Sequence, residues 1–140
     1  MKRYRFLAIG LSLVLTMGFF FAGSGTAQGK SCYLAAIAGK NDINPRTLHI
    51  KKGDCVVFMN FAGTATNPHQ VKVSFKEGEM CLAATESLVG LAMDETKCLT
   101  SGWIGYGQTP SAVFTKPGTY QYEVIFKEGG SATTGRIEVK

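Results

Sequence analysis

Residues 67–75 read Asn-Pro-His-Gln-Val-Lys-Val-Ser-Phe and set His69 between a proline and an alternating run. It is one of two histidines in 140 residues. An imidazole at the mouth of a strand can hold a transition metal, so His69 is the candidate metal ligand. His49 falls on the polar side of the alternating segment 47–50 and reads as a surface residue. Met80 and Met93 carry soft sulfur, but methionine more often fills gaps in a core. Four cysteines, Cys32, Cys55, Cys81 and Cys98, are too scattered for the paired spacing of zinc or iron–sulfur sites. They suit two disulfides instead. Three pairings are open, and Cys32–Cys55 with Cys81–Cys98 is favoured because each closes a short stretch. Catalytic patterns are missing: there is no Gly-x-Ser-x-Gly elbow and no His-Glu-x-x-His. The carboxylates Glu77, Glu79, Glu86, Asp94 and Glu95 read as a solvated rim, and no enzymatic activity is expected. Trp103, in Ser-Gly-Trp-Ile-Gly-Tyr-Gly, is an aromatic in a glycine-rich loop and so either a contact surface or a lid on the fold.

The N-terminus sets the compartment in which such residues would work. Lys2, Arg3 and Arg5 precede an apolar run from Phe6 to Ala22, followed by the small residues Gly25, Thr26 and Ala27. That layout predicts a secretory signal peptide over residues 1–27, cleaved after Ala27. The run is also about long enough to span a bilayer, so retention as an anchor is the alternative. The expected location is periplasmic or secreted, with membrane contact only if the segment is kept. All four cysteines lie in the exported part, where disulfides persist. Three of the 15 basic residues belong to residues 1–27, leaving 12 against 10 acidic residues, a net of +2. With no basic cluster evident, nucleic acid is not an expected partner. Residues 28–140 have the length of one domain.

The elements that would position these residues are short strands. Residues 33–37 are apolar, 47–50 alternate, and 55–61 are rich in β-formers after a Lys-Lys-Gly-Asp turn. In 69–75, Val71, Val73 and Phe75 share one face; in 120–126, Tyr120, Tyr122, Val124 and Phe126 do. Lys-Pro-Gly-Thr at 116–119 is a turn, and Arg-Ile-Glu-Val at 136–139 closes the chain. The stretch around 80–100 lacks sustained alternation. It predicts an irregular insertion, partly helical, with one or two helical turns over residues 82–93 interrupted by Gly90. Six or seven strands with Gly/Pro turns predict an all-β sandwich or small barrel.

Four segments in order resemble the cupredoxins, the blue copper proteins of plastocyanin and azurin type. Asn-Pro-Arg-Thr-Leu-His-Ile-Lys-Lys-Gly-Asp-Cys-Val-Val-Phe-Met-Asn-Phe resembles their second and third strands, and Asn-Pro-His-Gln-Val the segment with their first copper histidine. Lys-Pro-Gly-Thr-Tyr-Gln-Tyr-Glu-Val resembles the approach to the copper-binding loop, and Thr-Thr-Gly-Arg-Ile-Glu-Val the closing strand. The resemblance spans most of residues 33–140 and implies a cupredoxin-like Greek-key β-sandwich. It also implies a type 1 copper site of two histidines, a cysteine thiolate and an axial methionine. His69 matches the first histidine. The cysteine position falls on Val124, the second histidine on Lys127 and the methionine on Thr133. Valine has no donor atom, and a lysine ammonium repels a cation. The expectation is therefore an exported, non-enzymatic binding module with a degenerate copper site. It would have no resident cofactor and would meet an unidentified protein or ligand at its loop end. The alternative is a copper-binding electron-transfer or metal-handling protein using His69 with further ligands that the sequence does not identify.

Overall fold

The computed structural model describes residues 30–75, 85–95, 98–130 and 132–140. The expected signal segment, residues 1–27, lies outside them, as do Met80 and Cys81. Eleven strands are present among the described residues: β1 (Cys32–Gly39), β2 (Asp42–Asn44), β3 (Thr47–Ile50), β4 (Cys55–Asn60), β5 (Val71–Phe75), β6 (Thr85–Val89), β7 (Leu91–Met93), β8 (Leu99–Ser101), β9 (Ser111–Phe114), β10 (Gly118–Phe126) and β11 (Ala132–Val139). They form two sheets, one ordered β2-β1-β4-β9-β6 and the other β3-β11-β10-β5-β8-β7.

Period-two alternation decides which way each strand faces. Ala35, Ile37, Val56, Phe58, Ala112 and Phe114 turn inward from the first sheet; Val71, Val73, Phe75, Tyr120, Tyr122, Val124 and Phe126 do so from the second. The rings of Phe58, Phe75, Phe114, Tyr120 and Tyr122 then meet across the gap with centroids 5.0–6.1 Å apart. Burying each such side chain contributes about 1.5–3 kcal/mol, so this cluster is the chief source of cohesion between the sheets. Tyr122 faces Gly135 across the β10–β11 ladder. A Cβ at Gly135 would lie 2.2 Å from Tyr122 Cζ, which requires glycine there. The Tyr122 hydroxyl is buried without a hydrogen-bond partner among the described residues, and burial pushes its pKa up to about 12.

One end of the sandwich is tied by Asp54. Its carboxylate accepts from the Ser31 amide (3.1 Å) and the Lys51 amide (2.8 Å), joining the entrance of β1 to the turn before β4. Alongside, Cys32 and Cys55 face each other in the parallel β1–β4 pair and form a disulfide, with Cα atoms 4.5 Å apart. It closes a 23-residue separation, a constraint on the unfolded chain of about 3 kcal/mol. Cys98 is also disulfide-bonded. Its expected partner, Cys81, lies outside the described residues.

The helical turns expected within residues 82–93 are corrected by the structure: no helix occurs among the described residues. Thr85–Val89 pairs with β9, and Leu91–Met93 pairs with β8. Gly90, at φ +64°, turns the chain from one sheet to the other. These are edge segments of three to five residues, too short to display a clear period. Unpaired backbone groups at the sheet edges made strand the better solution.

Candidate functional site

His69 is presented by a tight loop after β4. Gly63 has φ +85°, and a Cβ there would sit 2.4 Å from the Asn67 carbonyl oxygen. Within this turn the Thr64 and Asn67 backbones hydrogen-bond each other (3.1 and 3.2 Å), and the His69 amide donates to the Ala62 carbonyl (3.1 Å). The loop is pinned from below by Asn60, which is fully buried. The Asn60 amide nitrogen donates to the carbonyls of His69 (2.8 Å) and Ile104 (3.0 Å), and its oxygen accepts from the Ala62 amide (2.9 Å). One side chain thus satisfies three backbone groups and holds the His69 loop against the loop that carries Trp103. Its role was not apparent in the sequence beyond its place in a recurring strand pattern, because its partners lie as far away as residue 104.

The His69 ring is partly exposed, and its Nδ1 lies 3.2 Å from Glu128 Oε2. Desolvation, the largest single influence, pulls the Glu128 carboxyl upward. Its own backbone amide, the His69 hydrogen bond and charge, and the Gln70 amide outweigh this and hold it below the usual carboxylate range. Glu128 was not among the residues singled out from sequence. A hairpin brings it to His69 from 59 residues away.

The other three positions of the resemblance stand differently. Val124 is fully buried and Thr133 nearly so, and the two are direct partners in the β10–β11 ladder. That ladder continues to Ile125 opposite Ala132. The segment corresponding to the copper loop is therefore closed into a β-hairpin, with residues 127–130 left outside the strands. Lys127 is exposed at its tip. Its amide donates to the Gln70 carbonyl (2.9 Å), and its ammonium donates to Gln70 Oε1 (2.5 Å). His69 and Lys127 are thus neighbours on the surface, while Val124 and Thr133 belong to the sheet. A side chain without a donor, an ammonium and a hydroxyl do not fit a type 1 copper centre, whose defining ligand is a thiolate. Among the described residues no group of three His, Cys, Asp or Glu side chains converges on a point.

Trp103 is 43 % exposed beside this loop. Lys72 Nζ and Lys127 Nζ lie 5.6 and 5.9 Å from its ring centroid, within cation–π range. Phe61 and Tyr106, both exposed, stack edge to face at 6.1 Å at the same end. His49 is exposed on β3, with Nδ1 3.0 Å from Glu138 Oε2. Met93 is half exposed on β7, away from His69. The proposed Met80 and Cys81 positions lie outside the described residues.

The mixed two-sheet sandwich and a histidine loop at its end define a cupredoxin-type domain, and comparison with known proteins agrees. Residues 31–125 match the family of copper binding proteins described as the plastocyanin/azurin family. The chain belongs to this family. Among solved structures it is similar to the reduced state of an amicyanin mutant, with 25 % identity, 86 % of this chain and 90 % of that one covered and a TM-score of 0.51. A Cu(I) amicyanin mutant gives the same figures. A second reduced amicyanin mutant, at 21 % identity, covers 80 % of this chain and 85 % of that one with a TM-score of 0.51, a likeness of fold. No curated protein matches the chain. The family match ends at Ile125, immediately past the cysteine position and before Lys127 and Thr133.

Proposed function

We propose that this chain is an exported, non-enzymatic member of the family whose type 1 copper site has been dismantled, and that it works as a binding module through its loop end. The observation that carries this reading is the pairing of buried Val124 with Thr133: the thiolate position is a core side chain and the two ends of the ligand loop are paired sheet. The family's surface around His69 remains, carrying Trp103, Phe61 and Tyr106 beside Lys72 and Lys127. Exposed aromatics with a polar surround are the composition of a contact surface. A partner there would be a protein or a ligand with an apolar, anionic face.

The test is metal analysis of the exported protein purified without chelator, with its visible spectrum. The reading expects far less than one copper per chain and no intense thiolate-to-copper absorption. One copper per chain, lost on His69→Ala, would sink it.

A second reading has one observation in its favour, the proximity of Glu128 to His69 Nδ1. An imidazole and a carboxylate can share a copper ion weakly, which would make the protein a metal-handling rather than an electron-transfer member. Copper bound in exchange with the solvent, and weakened by Glu128→Gln, would favour that role.

A further inference from the structure

The end of the sandwich opposite His69 carries a concentration of lysines that the chain order conceals. Lys51 and Lys52 lie in the turn before β4, Lys30 at the entrance of β1 and Lys116 in the turn between β9 and β10. Backbone hydrogen bonds bring these three segments together: Cys55 N to Ser31 O (2.9 Å), Gly53 N to Phe114 O (2.7 Å) and Phe114 N to Asp54 O (2.9 Å). Tyr120 Oη donates to the Lys116 carbonyl (2.8 Å) and fixes the third turn. All four lysine side chains are exposed. A hollow lined by Lys30, Ser31, Tyr33, Lys51, Lys52 and Asp54 lies between the first two segments.

The described acidic groups nearby are fewer than the lysines, with Asp54 the one that lines the hollow. Asp54 is buried, and both its oxygens are engaged by backbone amides. Glu138 is engaged by His49 (3.0 Å) and Arg136 (3.6 Å). The pole therefore presents a local positive surface on a domain whose overall charge is near balance. It is also where the chain enters the fold: seven residues separate Ala22, the end of the apolar run, from Lys30. Fully extended, that stretch spans at most about 25 Å. While the apolar segment is attached, the lysine pole is the part of the domain held nearest to any bilayer the segment occupies.

We propose that this pole is a docking surface for a bilayer bearing anionic headgroups. Docking there turns the His69 and Trp103 end away from the membrane, where a partner can reach it. Each lysine close to an anionic surface raises partitioning on the order of fivefold, and the attraction decays over a Debye length.

The experiment is co-sedimentation of the exported protein with vesicles of phosphatidylglycerol and phosphatidylcholine, and with vesicles of phosphatidylcholine alone. Preferential binding to the anionic vesicles is expected, and it should collapse as salt rises from about 0.05 to 0.5 M. The double substitution Lys51→Gln/Lys52→Gln should lower partitioning roughly 25-fold. Lys40→Gln/Arg46→Gln removes equal charge away from the pole and should change it by less than about twofold. Equal losses in the two double variants would reduce the effect to net charge and overturn the proposal. So would equal binding to both vesicle types at both salts.

Discussion

The His69 loop and the β10–β11 hairpin are the two halves of the place where this family holds copper, and here they have diverged. The loop keeps its positioning apparatus. Gly63 makes the turn, and the buried Asn60 amide satisfies three backbone groups around it. The hairpin has become ordinary sheet, with Val124 in the core and Thr133 as its ladder partner. The difference teaches that hydrogen bonds within the protein place the His69 backbone.

Asn60→Ala should break the comparison most severely. It leaves the His69 carbonyl and the Ala62 amide without their partner and takes one of two donors from the Ile104 carbonyl, which keeps the Val71 amide (3.1 Å), so a loss of roughly 2–4 kcal/mol in chemical denaturation is expected. A loss below about 1 kcal/mol would mean that something else holds the loop. On the hairpin side, Gly135→Ala drives a methyl into the Tyr122 ring and should cost about 2–3 kcal/mol, read as a lower melting temperature.

Tyr122 supplies a pH test of the same hairpin. Its folded pKa is raised to about 12 by burial, so the unfolded chain loses this proton first. The native advantage is whole below the ordinary tyrosine pKa of about 10 and falls away as pH climbs from there through about 12. The loss is on the order of 2 kcal/mol. Tyr122→Phe should remove that alkaline component, and at neutral pH it should be neutral or slightly stabilising because the hydroxyl has no described partner. Retention of the full alkaline loss in Tyr122→Phe would assign it elsewhere. Smallest of all, Glu128→Gln should leave the chemical-denaturation midpoint essentially unchanged, since the pair with His69 is solvent-exposed. A larger effect would mean that the His69 side of the comparison depends on this ion pair.

Much of this could be read from sequence where a periodic signal existed. The alternation at Val71, Val73 and Phe75, and again from Tyr120 to Phe126, gave both inward faces, because a half-buried strand must repeat every two residues. The match of Val124 to the family's cysteine position came from the resemblance, and the structure places that side chain in the core. The edge strands β6 and β7 were not readable: three to five residues beside a positive-φ glycine carry no period. Asn60 and Glu128 escaped because their meaning lies in partners 44 and 59 residues away. The lysine pole escaped for the same reason, its members being scattered between residues 30 and 116.

The central claim is that the paired strands β10 and β11 take no part in binding copper, and amide NMR of the exported protein during titration with Cu(I) tests it most directly. The amides of Val124 and Thr133 should show no saturable change, with any weak response confined to His69, Gln70, Lys127 and Glu128. Shifts at Val124 and Thr133 that move together and saturate at one copper per chain would contradict the account.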